Sequence, residues 1–182
     1  MSPAKYDSYE DAAPPAYTST AGPSRIPVQG TPVFPSQSVT GPPPCFDLDG
    51  VSPVFFGSAH LPDSSIHPCK IAPSLAPSVC RVAYGGREIH HSGPYIILPF
   101  IPYTMELVPT SNGQIPKGRR PIEGGYEIRN GREIKLYHAV AKVPLPARGG
   151  FTRVPGKAGV HLSGCNVPWG DRERVFRDYE IL

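Results

Sequence analysis

From Cys45 onward, apolar and aromatic residues fall in runs of strand length separated by Gly, Pro, Asn and Asp. Val54-Phe55-Phe56, Val79 to Tyr84, Tyr95 to Phe100, Lys135 to Val143 and Val175 to Leu182 are the clearest runs. Turn signals sit at Asp49-Gly50, Gly85-Gly86, Asn112-Gly113 and Asn130-Gly131. A helix interior loses about 3 kcal/mol per Pro and about 1 per Gly, and no window of 15 residues beyond residue 40 escapes both. The pattern predicts an all-β domain with the rhythm of a sandwich or barrel.

Residues 1–44 break that pattern. They hold 10 of the 25 Pro and six Ser, and their aliphatics Ile26, Val28, Val33 and Val39 stand apart from one another. Such a segment buries too little apolar surface to offset the roughly 1 to 2 kcal/mol per residue that backbone ordering costs. A disordered Pro/Ser-rich tail over 1–44 is expected. Within it, Pro14-Pro15-Ala16-Tyr17 has the Pro-Pro-x-Tyr form that docks as extended polyproline on a WW domain. Pro14, Pro15 and Tyr17 are therefore candidate partner-binding residues, although a Pro-rich tail also makes such a tetrapeptide by chance.

Composition and charge narrow the function. Pro and Gly together are about a quarter of the 182 residues, hydrophobic residues are 39% and charged residues 18%, which suits one packed domain plus an unpacked segment. The net charge of +3 is scattered, without the basic stripe of a nucleic-acid binder. No apolar run is long enough for a membrane span, and Met1 to Glu10 lacks the form of a signal peptide, so a cytoplasmic protein is expected. Cys45, Cys69, Cys80 and Cys165 show no metal-ligand spacing, and His90 and His91 point to opposite faces of a strand. Free packed thiols, no metal and no cofactor are expected.

The strongest feature is an internal repeat. Cys80-Arg81-Val82-Ala83-Tyr84-Gly85-Gly86-Arg87-Glu88 aligns with Cys165-Asn166-Val167-Pro168-Trp169-Gly170-Asp171-Arg172-Glu173 at an offset of 85. Tyr95-Ile96-Ile97-Leu98 then matches Tyr179-Glu180-Ile181-Leu182. Upstream, Pro68-Cys69-Lys70 matches Pro155-Gly156-Lys157, and Phe46-Asp47 matches Tyr126-Glu127. The offset drifts from 80 to 87, and the drift is assigned to the loop from Pro144 to Arg153.

These motifs, with Glu106 to Pro116 and Gly124-Gly125-Tyr126-Glu127 between the copies, resemble the DM-nine repeat of natterin-like proteins and mannose-binding lectins. The resemblance spans 45–182, read as a first repeat over 45–104 and a spacer strand with a second repeat over 105–182. It implies two tandem, intertwined antiparallel β-sandwich-like repeats with pseudo-two-fold symmetry, and non-catalytic recognition of mannose or mannose-containing glycans, with a homodimer as a further possibility. It also implies carbohydrate-binding pairs: Asp47 with Lys70 in the first copy and Glu127 with Lys157 in the second. The competing reading is that these four residues only form salt bridges at strand ends, worth about 0 to 1 kcal/mol each when exposed. Both copies lack the family's Gly-Arg-Ala triplet, showing Gly57-Ser58-Ala59 and Ala139-Val140-Ala141.

Tyr84 and Trp169 occupy equivalent places before a Gly and are expected in the core rather than against a sugar. Arg87-Glu88 and Arg172-Glu173 are expected to bridge the two halves. An enzyme would need a nucleophile and an oriented base, and the best candidate pair, Cys69 with His67, lacks a group to orient the imidazole. A non-enzymatic protein is expected, with a WW-recruiting interaction adaptor as the alternative to a lectin.

Overall fold

A computed structural model describes residues 24–29 and 33–182. The described residues are almost entirely strands and turns. The first half carries β1 (Ile26–Val28), a single helical turn α1 (Gln37–Thr40), β2 (Cys45–Phe46), β3 (Pro53–His60), β4 (Ile66–Ile71), β5 (Cys80–Tyr84), β6 (Arg87–His91) and β7 (Tyr95–Leu98). The second half carries β8 (Val108–Ser111), β9 (Glu123–Arg129), β10 (Arg132–Pro144), β11 (Phe151–Ala158), β12 (Cys165–Trp169), β13 (Arg172–Phe176) and β14 (Asp178–Ile181).

The strands join in the order β1-β7-β3-β4-β5-β6-β13-β12-β11-β10-β14-β8, all antiparallel. Strand β9 pairs with both β10 and β4, which closes β4, β5, β6, β13, β12, β11, β10 and β9 into a ring resembling a barrel. The strand order also reads as two matched arms. β3, β4, β5, β6 and β7 in one arm correspond to β10, β11, β12, β13 and β14 in the other, and the arms meet where Arg87 of β6 pairs with Arg172 of β13. Those two arginines are also equivalent in the internal repeat, so the axis relating the halves passes through their junction.

Local chemistry explains the hairpins at that junction. The β5–β6 turn has positive φ at Gly85 (60°) and Gly86 (81°), and the β12–β13 turn has it at Gly170 (61°) and Asp171 (62°). Two-residue hairpin turns with this geometry match the twist of the strands, and Gly and Asp are among the residues that tolerate it. The cores follow the same symmetry. Cys80, Val82 and Ile97 are buried in one cluster and their counterparts Cys165, Val167 and Ile181 in another, while Phe56, Val140, Leu98 and Leu182 meet in a third between the halves. All four cysteines are free and buried.

Several expectations need correction. Part of the segment assigned to a disordered tail over 1–44 contributes an edge strand: Ile26↔Ile97 and Val28↔Tyr95 pair, Val28 is buried, and Phe34 packs on Phe55 with ring centres 5.4 Å apart. Ile26 and Val28 are isolated apolar residues, but their alternation suits an edge strand, where Pro27 is tolerated. The single strand expected over Val175 to Leu182 is divided at Arg177 into β13 and β14. Strands β4 and β11 each run through a proline, Pro68 or Pro155, which obscures them in a hydrophobic pattern.

The repeat offset also drifts in more than one loop. Register places Phe56 opposite Lys70 and His138 opposite Lys157, so the offset is 138 − 56 = 82 on β3/β10 and 157 − 70 = 87 on β4/β11. It returns to 165 − 80 = 85 on β5/β12. Among the described residues no helix is long and apolar enough to cross a membrane.

Candidate functional site

Register builds the site around Lys157. Lys157 of β11 lies opposite Asn166 of β12, and Pro168 lies opposite Glu173 of β13, which brings Lys157, Asn166 and Glu173 to one face of the sheet. The Lys157 side chain is buried, with Nζ 3.3 Å from Glu173 Oε1. Asn166 Nδ2 donates to the same carboxylate at 2.8 Å, and the backbone N–H of Gly86, from the other half, donates to Glu173 Oε2 at 2.8 Å. Burial pushes the Glu173 carboxyl up, but Lys157, Asn166 and Gly86 together outweigh it and hold the carboxyl below its ordinary value.

The first half supplies the opposite wall. Lys157 Nζ donates to Nδ1 of His67 on β4 at 3.1 Å, and sits 5.6 Å from the ring centre of Tyr84 on β5. Ammonium can only donate, so the His67 proton resides on Nε2, which donates to Ser65 Oγ at 3.0 Å. Ser65 Oγ donates in turn to Asp63 Oδ1 (2.5 Å), and the Tyr84 hydroxyl donates to Asp63 Oδ2 (2.6 Å). These bonds, Ser65 first, hold the Asp63 carboxyl down at about 2. Burial, aided by Lys157, pushes the His67 imidazole down to about 4, which keeps it neutral and able to accept.

Glu127 of β9 completes the rim. It pairs with Arg129, and its Oε1 lies 2.8 Å from His161 Nε2. Asp63, Tyr84, Glu127, Arg129, Lys157 and Asn166 line one cleft of about 390 Å³. Two of the residues expected from the repeat, Glu127 and Lys157, are thus brought into one cavity.

Asp47 and Lys70 are placed differently. Lys70 is buried on β4 opposite Arg81, 4.0 Å from Glu88 and 5.6 Å from the ring centre of Trp169, so it repeats the Lys157 arrangement across the axis. The backbone N–H of Asp171 donates to Glu88 at 3.0 Å, as that of Gly86 does to Glu173. Burial lowers the Lys70 ammonium, the charges of Glu88 and Asp47 act against that, and Arg81 adds to it. Asp47 is half-buried on the turn after β2, accepts the N–H of its neighbour Leu48 at 2.9 Å, and lines a separate depression with Phe46, Leu48, Phe151 and Arg153.

Glu88 and Glu173 do bridge the halves, through the two backbone N–H groups just described. Tyr84 departs from its expected core role: it is 37% exposed and stands in the cleft wall, whereas half-buried Trp169 packs against the second-half core. Cys69 and His67 do not meet. Cys69 lies 3.6 Å from Cys80 Sγ, and burial together with that thiol pushes it well up. Ser58 and Val140, at the places of the missing arginines, are both buried. Pro14, Pro15 and Tyr17 lie outside the described residues. The sequence does not single out Asp63 and offers His67 only as a partner of Cys69, because both serve a lysine of the opposite half and no repeat register points to them.

The fold and site define a class: an all-β protein of two matched halves that builds a polar cleft across its own seam. The chain belongs to the DM9 repeat family, whose profile matches residues 47–145, more than half its length. That family is associated with carbohydrate-binding, lectin-like function. No curated protein matches the chain.

Proposed function

We propose that this protein is a non-catalytic lectin that binds mannose-type sugars in the cleft around Lys157. The observation that carries this reading is the convergence of Lys157, Glu127, Asp63 and Tyr84 on one open cavity. Vicinal sugar hydroxyls both donate and accept. A carboxylate such as Asp63 or Glu127 accepts hydrogen bonds from them, and an ammonium donates hydrogen bonds to them. Such charge-assisted bonds contribute about 1.5 to 3 kcal/mol each. The exposed Tyr84 ring offers a flat apolar surface for the carbon face of a pyranose.

Charge favours a neutral ligand. Asp63, Glu127 and Glu173 face Lys157 and Arg129 in the cleft, a near balance that gives no field for a phosphate or an acidic sugar. A single monosaccharide site of this kind binds weakly, and multivalent display on a glycan supplies avidity.

Isothermal titration with mannose and mannan tests the reading. Wild type is expected to bind both, and Lys157→Met, with native circular dichroism, to bind at least about tenfold more weakly, the effect of losing one charge-assisted bond. Unchanged affinity in folded Lys157→Met contradicts the assignment of the site.

A further inference from the structure

The two halves place a Lys, a Glu and an aromatic in the same frame twice, yet the remaining positions differ. Asn166 beside Lys157 corresponds to Arg81 beside Lys70, since each lies opposite its lysine in register. His67, which receives Lys157, corresponds to Val154: Ala59 is opposite His67, and its counterpart Ala141 is opposite Val154. Glu127 corresponds to Asp47 and Tyr84 to Trp169.

Building on the lectin reading, we infer that the two sites are unequal: sugar is taken at the Lys157 cleft alone, and Arg81 fills the equivalent place beside Lys70. Asn166 is short. Its Nδ2 is committed to Glu173, and its buried Oδ1 has no partner among the described residues, which leaves an acceptor beside the cleft for a ligand hydroxyl. Arg81 is long and itself buried. Its guanidinium donates to the carbonyls of Ser78 and of Ala76 (2.7 Å), and its Nε lies 3.7 Å from Glu88 Oε1. Every polar end of that side chain is occupied, and its charge competes with Lys70 for the one carboxylate. The Lys70–Glu88 separation is 4.0 Å, against 3.3 Å for Lys157–Glu173.

The other differences act in the same direction. Val154 is a core residue and offers Lys70 no acceptor, where His67 offers Lys157 a ring nitrogen. Asp47 is one methylene shorter than Glu127 and is engaged by the N–H of Leu48 in its own turn. One half therefore keeps an open cleft with one unpartnered amide oxygen at Asn166, and the other fills the equivalent place with a fully engaged Arg81.

The chain provides its own reporter. Its single tryptophan, Trp169, stands over Lys70, whereas His67 is bonded to Lys157. In a two-dimensional NMR titration of the full chain with mannose, the His67 ring signals are expected to shift with saturation while the Trp169 indole N–H cross-peak stays in place. In folded Arg81→Asn, the indole cross-peak is expected to begin responding. An indole shift in wild type that tracks the His67 shift overturns the inequality, and an indole cross-peak that stays in place in folded Arg81→Asn while the His67 signals shift overturns the role of Arg81; both leave the lectin reading intact. If neither probe moves and no heat is released at saturating mannose, the lectin reading falls and the inequality with it.

Discussion

At the residue scale the account turns on buried polar groups and on what each one is bonded to. Lys157 keeps its charge out of bulk water because Glu173, a neutral imidazole and the Tyr84 ring surround it. Protonating His67 would remove the acceptor and set two cations 3.1 Å apart. The buried ring nitrogens of His138 have no hydrogen-bond partner among the described residues, and burial pushes this imidazole down to about 3, as it pushes His67 to about 4. An unfolded histidine titrates near 6.5, so between about 4 and 6.5 the unfolded chain binds more protons than the native one. Stability therefore rises with pH across that window and is lost as pH falls through it, by roughly 2 to 3 kcal/mol per histidine at pH 4.

Thermal melts from pH 7 to pH 4 should show this fall, and His138→Phe, which adopts the residue type of its counterpart Phe56, should remove about half of it. A midpoint that stays level over that range contradicts the burial argument. Glu127 and Lys157 were legible in the sequence because the repeat marks them twice. Asp63 and His67 were not, because their partner is a tertiary neighbour from the other half.

At the scale of elements, most strands were readable from apolar runs and turn residues, and the failures have physical causes. Strands β4 and β11 carry prolines in their interiors, and β1 is too short and too diluted by proline to stand out. The most demanding element is β9, which must pair with β10 on one side and β4 on the other. Gly125 makes that possible. Its φ is 146°, it sits where the β9–β10 register shifts, and a Cβ there would lie 2.1 Å from the carbonyl oxygen of Ile66. Gly125→Ala is expected to break the β9–β4 closure, cost more than about 2 kcal/mol and loosen the Glu127 side of the cleft. Urea unfolding measures this, and a change under about 0.5 kcal/mol would show that the closure is not held there.

At the scale of the whole molecule, two similar units share one sheet, and each glutamate at the seam is held by the other unit's turn through the N–H groups of Gly86 and Asp171. The all-β class and the pairing of halves could be inferred from the repeat. Closure through β9, and a cleft assembled from both halves, could not, because they depend on which strand edges meet in space. The central claim is that a sugar occupies the seam. The most direct measurement is a crystal structure of the protein soaked with a mannoside, which should show the ring against Tyr84 with its hydroxyls bonded to Lys157 and to Asp63 or Glu127. A sugar bound elsewhere, or an empty cleft at saturating mannoside, would contradict the account.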